Sequence, residues 1–269
     1  MSRYDKYECL KVDVSEKIAI VTLNRPEARN AINQKLIREL RSIWDDLADD
    51  HAVNVVILTG AGQYFSVGGD VKAMSERPGG DVLEEGEVHD PMISRRLANR
   101  QLELDKPIIA AINGDAIGLA ATHALLTDIS VMADDARIGD THVSRVGLVA
   151  GDGGAVIWPL LVGVNKAKEF LMRGTLLKAA EAERLGLVNH VAPRAEVLAK
   201  AREIALELAN GPTWAIRWTK LSVNQIVKDR VNMLLETSMA LEQVTFETAD
   251  HKEAATSFKE KRKPRFGQS

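Results

Sequence analysis

With 269 residues, 45% of them hydrophobic, and 35 basic against 38 acidic side chains for a net charge of −3, the chain has an ordinary globular composition and can bury a substantial core. No cationic excess exists to neutralise phosphate backbones, which argues against nucleic acid as a partner. Cys9 is the only cysteine, so an intramolecular disulfide and thiolate metal sites are excluded and a reducing compartment is expected.

In chain order, residues 1–6 lack an apolar signal core, and no window reaches the ~18 apolar residues of a membrane span, so the expected location is cytoplasmic, away from membranes. Residues 17–23 (KIAIVTL) read as a strand closed by Asn24-Arg25-Pro26. Ile32, Leu36, Ile37, Leu40 and Ile43 recur at helical spacing, with Asn30 or Asn33 as N-cap. Residues 53–59 (VNVVILT) form a second strand that runs into Gly60-Ala61-Gly62. Residues 77–90, with Pro78-Gly79-Gly80 and several acids, read as a mobile surface loop. Strands follow at 107–112 and 129–133, with helical patterns at 92–104 and 119–126. Short apolar strands alternating with amphipathic helices predict α/β layering. Beyond Gly163 the pattern turns helical, at 166–172, 179–185, 194–208, 212–227 and 231–248.

The stretch 147–154, Gly-Leu-Val-Ala-Gly-Asp-Gly-Gly, places Asp152 in a glycine cradle ten residues after His142. Glycines allow tight turns and close approach of a ligand, so Asp152 and His142 form a candidate acid/base pair. The plainer alternative is a loop aspartate satisfying local amides. His123 sits on an apolar helical pattern and reads more simply as a core residue. No His-x-x-x-His or Glu-x-x-His spacing occurs, and no metal is expected. The basic tail, residues 258–266, is either a solvated terminus or a surface docking on anionic groups.

Four segments, in this order, resemble the enoyl-CoA hydratase/isomerase (crotonase) superfamily. Residues 23–31 (LNRPEARNA) are similar to its early loop beside the CoA nucleotide, and 65–71 (FSVGGDV) to its first oxyanion segment. Residues 106–114 (KPIIAAING) lead to a second oxyanion segment at Gly118-Leu119-Ala120, and the tail 258–266 is similar to its terminal helix. The resemblance implies an α/β spiral of ββα repeats with two roughly perpendicular sheets over residues 1–200. A C-terminal helical region over 201–269 would then build a homotrimer or homohexamer. It implies an acyl-CoA or small carbonyl substrate, with CoA part of the substrate and no separate cofactor. The shared chemistry is stabilisation of a thioester enolate by two backbone N–H groups, which fall here on Val67 and Leu119. Contacts to CoA or substrate fall on Arg25, Ala28, Arg29, Ala31, Asp70, Lys72, Thr122, Phe258 and Lys261. Arg29 is the best placed of these for phosphate.

The departures matter as much. The two glutamates that activate water in typical hydratases fall on Thr122 and His142, the latter with one extra residue before Gly147. Neither position carries a carboxylate, and a threonine hydroxyl is too weak a base to replace one. His142 with Asp152 is the alternative acid/base pair, an aspartate serving to orient the imidazole and stabilise its cation. The Gly-Asp-Gly loop resembles that of superfamily β-diketone hydrolases of the 6-oxocamphor type. Three readings follow: an acyl-CoA enzyme of hydratase/isomerase type, a hydrolase of C–C bonds in cyclic diketones, or a non-catalytic family member. The first is favoured by the retained CoA-loop features.

Overall fold

The computed structural model describes residues 2–70 and 92–267; Lys72 and the loop expected at 77–90 lie outside them. The strands are β1 (Leu10–Ser15), β2 (Ile18–Leu23), β3 (Val55–Gly60), β4 (Ile108–Ile112), β5 (Ala116–Ile117), β6 (Ile129–Ala133), β7 (Arg137–Gly139), β8 (Leu176–Lys178) and β9 (His190–Ala192). The α-helices are α1 (Gln34–Ala48), α2 (Ile93–Glu103), α3 (Leu119–Leu125), α4 (Gly154–Val162), α5 (Val164–Arg173), α6 (Ala179–Arg184), α7 (Val197–Ala209), α8 (Thr213–Thr245) and α9 (Ala249–Lys259).

The larger sheet has the order β1-β2-β3-β4-β6-β9, antiparallel only at β1–β2. The β1–β2 turn consists of Glu16 and Lys17, both at positive φ (51° and 63°), the backbone that a two-residue hairpin of right-handed twist demands. Every residue of β3 and β4 is buried, as parallel strands covered on both faces require. Helix α7 covers one face, and Ala201, Ala205 and Ala209, at i,i+4 spacing, let it lie close on β3 and β4. Asn33 caps α1, accepting the Leu36 amide at 3.0 Å.

Two buried lysines hold helices to this sheet. Lys106 Nζ donates to the carbonyls of Leu47, Ala48 (3.1 Å) and Asp50 (2.7 Å), closing the C-terminal end of α1 with a cation. Lys220 on α8 pairs with Asp128 at 2.9 Å and donates to the Lys106 carbonyl at 2.8 Å. Asp128 also accepts the Ile108 amide at 2.6 Å.

The smaller sheet, β5-β7-β8, positions the site. β5 and β7 run parallel with Ile117 opposite Gly139, and the Gly118 amide donates to the Gly139 carbonyl at 2.9 Å. The chain therefore leaves both strands side by side, at Gly118 and Asp140.

Two expectations are corrected. The helices expected at 212–227 and 231–248 are one 33-residue helix, α8. Lys228-Asp229-Arg230 carries neither glycine nor proline, so the charged run is a solvated turn of a continuing helix. The terminal helix α9 ends at Lys259 rather than spanning 258–266. Lys261 adopts left-handed φ (54°), and Pro264 beyond it has no N–H to continue the helix. Arg262 instead ties the tail back onto Glu253.

Candidate active site

β7 delivers Asp140 and His142 to the site in three residues. Asp140 is only 1% exposed at its side chain; its Oδ1 accepts the His142 amide at 3.0 Å and the His142 Nδ1–H at 2.7 Å. Glycine at 154 makes room for this acid, because a Cβ there would lie 2.6 Å from Asp140 Oδ2. Residues His142–Val146 then form a single π-helical turn closed by Gly147 at φ 67°. Such π-helical turns recur at functional sites.

Asp152 lies in the turn entering α4, with Oδ2 3.3 Å from His142 Nε2. Helix α8 contributes Glu242, whose Oε1 lies 4.0 Å from the same nitrogen. Gly151 gives Glu242 its place, since a Cβ on that glycine would meet Glu242 Oε2 at 2.6 Å. Thr122 on α3 packs under Gly153, where φ is 120° and a Cβ would lie 2.6 Å from the threonine methyl. Four oxygens here are buried without a hydrogen-bond partner among the described residues: Thr122 Oγ1, Asp140 Oδ2, Asp152 Oδ1 and Glu242 Oε2.

The carboxyls of Asp152 and Glu242, buried beside one imidazole, cannot both ionise freely. Burial pushes the Asp152 carboxyl up to about 6, against the pull of His142. Burial, reinforced by the charge of Asp152, pushes Glu242 up to about 8. For His142, burial opposes protonation, but Asp152, Asp140 and Glu242 together hold it well above the ordinary histidine value. The cluster thus retains protons at neutral pH.

The two oxyanion-like segments meet beside this cluster. Ser66 bridges to Ala116, the Ile117 amide donates to the Ser66 carbonyl at 3.1 Å, and a Cβ at Gly68 would lie 2.5 Å from the Ile117 carbonyl oxygen. Leu119 is the first residue of α3, where amides have no acceptor within the helix. The Val67 amide makes one long contact, 3.3 Å to the Arg29 carbonyl. Gly118 adopts φ 58°, and the His142 ring lies against it: a Cβ there would be 3.2 Å from His142 Cε1.

The early loop is built by Asn30, whose side chain donates to the carbonyls of Ala61 (2.9 Å) and Tyr64 (2.8 Å). Arg25 and Asp70, both expected at the substrate, pair with each other at 3.3 Å, and Arg25 also donates to the Ala31 carbonyl. Ala28 closes a 3-10 turn. Arg29 stays exposed, its guanidinium 5.4 Å from the Tyr64 ring centroid. Phe258 and Lys261 lie exposed at the end of α9. His123 is a core residue, 2.7 Å from Gln101 Oε1, and burial pushes its pKa down to about 4.

Comparison with known proteins decides the family. The enoyl-CoA hydratase/isomerase family matches residues 13–269. The chain belongs to this family. It is 38% identical to a putative enoyl-CoA hydratase of Thermus thermophilus over 253 residues, 93% of this chain and 97% of the other. It is 34% identical to the short-chain-enoyl-CoA hydratase of Clostridium acetobutylicum, covering 92% and 93% of the two chains. Among solved structures, an enoyl-CoA hydratase/isomerase from Mycobacterium paratuberculosis shares 34% identity with a TM-score of 0.84 over 94% of this chain and all of that one. The mixed α/β architecture with its helical C-terminal region is thus that of the crotonase fold.

Sequence reasoning left out two members of the site. Asp140 stood two residues before His142 and could have been found from that spacing at the end of a strand. Glu242 lies 90 residues beyond Asp152 in a long helix and carries no local signal.

Proposed function

We propose that this family member acts on an acyl-CoA thioester through an enolate held by the amides of Val67 and Leu119. Two preorganised backbone donors aimed at the developing oxyanion stabilise the transition state by roughly 3–4 kcal/mol each. The thioester carbonyl would lie beside Gly118, bringing its α- and β-carbons toward His142 and Asp152. Asp152 serves as the base: its Oδ1 is buried without a partner among the described residues, and a value of about 6 is matched to proton transfer near neutrality. His142, its Nδ1–H fixed by Asp140, stabilises the carboxylate and returns the proton to the enolate. Thr122 is left to position water or substrate rather than to move protons.

The observation that carries this reading is the 3.3 Å approach of His142 Nε2 to Asp152 directly beside Gly118-Leu119. The close likeness to enoyl-CoA hydratases supports hydratase-type chemistry on enoyl-CoA esters. Trp214, Trp218, Ile226, Met233 and Leu241 are exposed along α8, which supports packing of this helix in a homotrimer or homohexamer. A second reading rests on Thr122, which puts a hydroxyl where a water-activating carboxylate is expected. In it, the same pair activates water to cleave a cyclic β-diketone, with the two amides holding the enolate that leaves.

The test is an assay of enoyl-CoA and ketoacyl-CoA esters beside cyclic 1,3-diketones, with Asp152→Asn as control. Turnover of a CoA ester that falls at least a hundredfold in the variant supports the first reading. Turnover of the diketones alone transfers the assignment to the second, and CoA-ester turnover undiminished in the variant removes Asp152 from the chemistry.

A further inference from the structure

Residues 143–151 link His142 to Asp152, so the 3.3 Å approach of the two side chains depends on how this segment is held. Its first turn holds itself: the Arg145 amide donates to the Thr141 carbonyl at 2.9 Å and the Leu148 amide to the His142 carbonyl at 3.1 Å. The remainder is held by the corner where α8 meets α9. His251 Nδ1 lies 2.9 Å from the Val146 carbonyl oxygen, which can only accept, so this nitrogen carries a proton. The Val149 amide donates to Thr245 Oγ1 at 3.2 Å, and Ser238 Oγ donates to the Gly151 carbonyl at 2.8 Å. The Thr245 hydroxyl proton goes to the Glu242 carbonyl at 2.6 Å, which leaves its lone pairs for Val149. Phe246 braces the His251 ring edge-on, with centroids 4.9 Å apart. Glycine lets the backbones touch: a Cβ at Gly147 would lie 3.0 Å from the Asp250 carbonyl carbon, and one at Gly151 2.5 Å from the Ser238 carbonyl oxygen.

We propose that Ser238, Thr245 and His251 are positioning residues through which the α8–α9 corner sets the approach of Asp152 to His142. Each acts on the loop backbone: Ser238 on Gly151 next to Asp152, Thr245 on Val149, and His251 on Val146 at the end of the π-helical turn that His142 opens. The anchors therefore fix both the turn that carries His142 and the turn that delivers Asp152. A misplacement of about 1 Å in a reacting pair can cost about a hundredfold in rate. Groups that merely stabilised the fold would change its melting temperature and leave the chemistry of the folded molecules alone. Burial disfavours the His142 cation, and Asp152 leads the charges that favour it, so a drifting Asp152 lowers the pH at which His142 titrates. The effect on turnover rests on the reading of His142 and Asp152 as the reacting pair; the effect on their approach follows from the loop contacts alone.

The experiment follows the His142 ring by NMR in the full chain with isotopically labelled histidine, its signal identified by its loss in His142→Ala. Steady-state kinetics accompany it, on whichever CoA ester or diketone the parent turns over. Ser238→Ala, Thr245→Val and His251→Phe each remove one hydrogen bond with little change of shape. In them the His142 titration midpoint should fall and kcat should drop at least tenfold, with KM little changed. Thr245→Ser and His251→Asn, which keep an acceptor and a donor at those places, should hold both readouts at parental values. A His142 midpoint unchanged in all three variants overturns the proposal, as does a loss of equal size in Thr245→Ser and His251→Asn. The ring signal needs no substrate. A lowered midpoint with undiminished turnover therefore upholds the positioning role and counts against the pair as catalytic.

Discussion

His142 is held at both ends of its ring, with Nδ1 2.7 Å from Asp140 Oδ1 and Nε2 3.3 Å from Asp152 Oδ2. The two acids are not equivalent. Asp140 is sealed behind the ring at 1% exposure and also accepts the His142 amide, whereas Asp152 keeps 11% exposure beside the oxyanion segments. Asp152→Asn is therefore expected to lower kcat by at least a thousandfold with the fold intact. Asp140→Asn, which disturbs the tautomer and aim of the imidazole, should cost a smaller factor, on the order of a hundredfold. Steady-state kinetics with unchanged circular dichroism checks both; equal activity of the two variants and the parent would dismantle the dyad.

Glu242 links protons to stability. Its carboxyl is pushed up to about 8 in the folded protein, above the ordinary glutamate value, so the native state binds a proton that the unfolded chain has released. Stability carried by this group is present at acid pH and is lost as pH rises through about 8. His142, also raised in the native state, acts in the same direction. Glu242→Gln is neutral at every pH. It should melt like the parent at pH 5 and roughly 3 °C or more above it at pH 9, as measured by calorimetry across that range. An equal effect of the substitution at both pH values would contradict the assignment.

Gly118 is a sensitive point for both backbone and catalysis. Its φ of 58° with ψ of −128° disfavours any side chain, at a cost on the order of 1–3 kcal/mol. Its missing Cβ leaves room for the His142 ring. Gly118→Ala should thus lower Tm by several degrees and turnover by at least tenfold, with the loss greater in kcat than in KM. An active variant of parental stability would show that the ring does not need this space.

Far from the site, Lys220 and Asp128 anchor α8 to the sheet. Lys220→Met strands a buried carboxylate that also accepts the Ile108 amide, and should cost on the order of 3–5 kcal/mol. Adding Asp128→Asn should recover part of that loss. Denaturant unfolding of the two variants measures the difference, and a double variant no more stable than Lys220→Met would assign the effect to packing.

Much of this was legible in the sequence, for physical reasons that differ between elements. β3 and β4 are unbroken apolar runs between turn residues, and Asn33 is a capping residue ahead of a periodic helix; both signals are local. β1 escaped notice although Leu10-Lys11-Val12-Asp13-Val14-Ser15 alternates, because its outer residues are exposed and only pairing with β2 stabilises it. Of the site, His142 and Asp152 stood out through the glycines around them. Glu242 did not, because its role arises where α8 crosses Gly151, a contact that no residue pattern encodes. Arg25 and Asp70 come from separate motif segments, and the fold sets them 3.3 Å apart, a pairing that no local pattern encodes.

The most direct test of the acyl-CoA assignment is calorimetric titration of the full chain with free CoA, a short panel of acyl-CoAs and a cyclic 1,3-diketone, repeated with Arg29→Ala. Micromolar binding of acyl-CoA, weakened when Arg29 is removed, is the expected result. Binding of the diketone with none of the CoA esters would contradict the assignment and identify a C–C bond hydrolase instead.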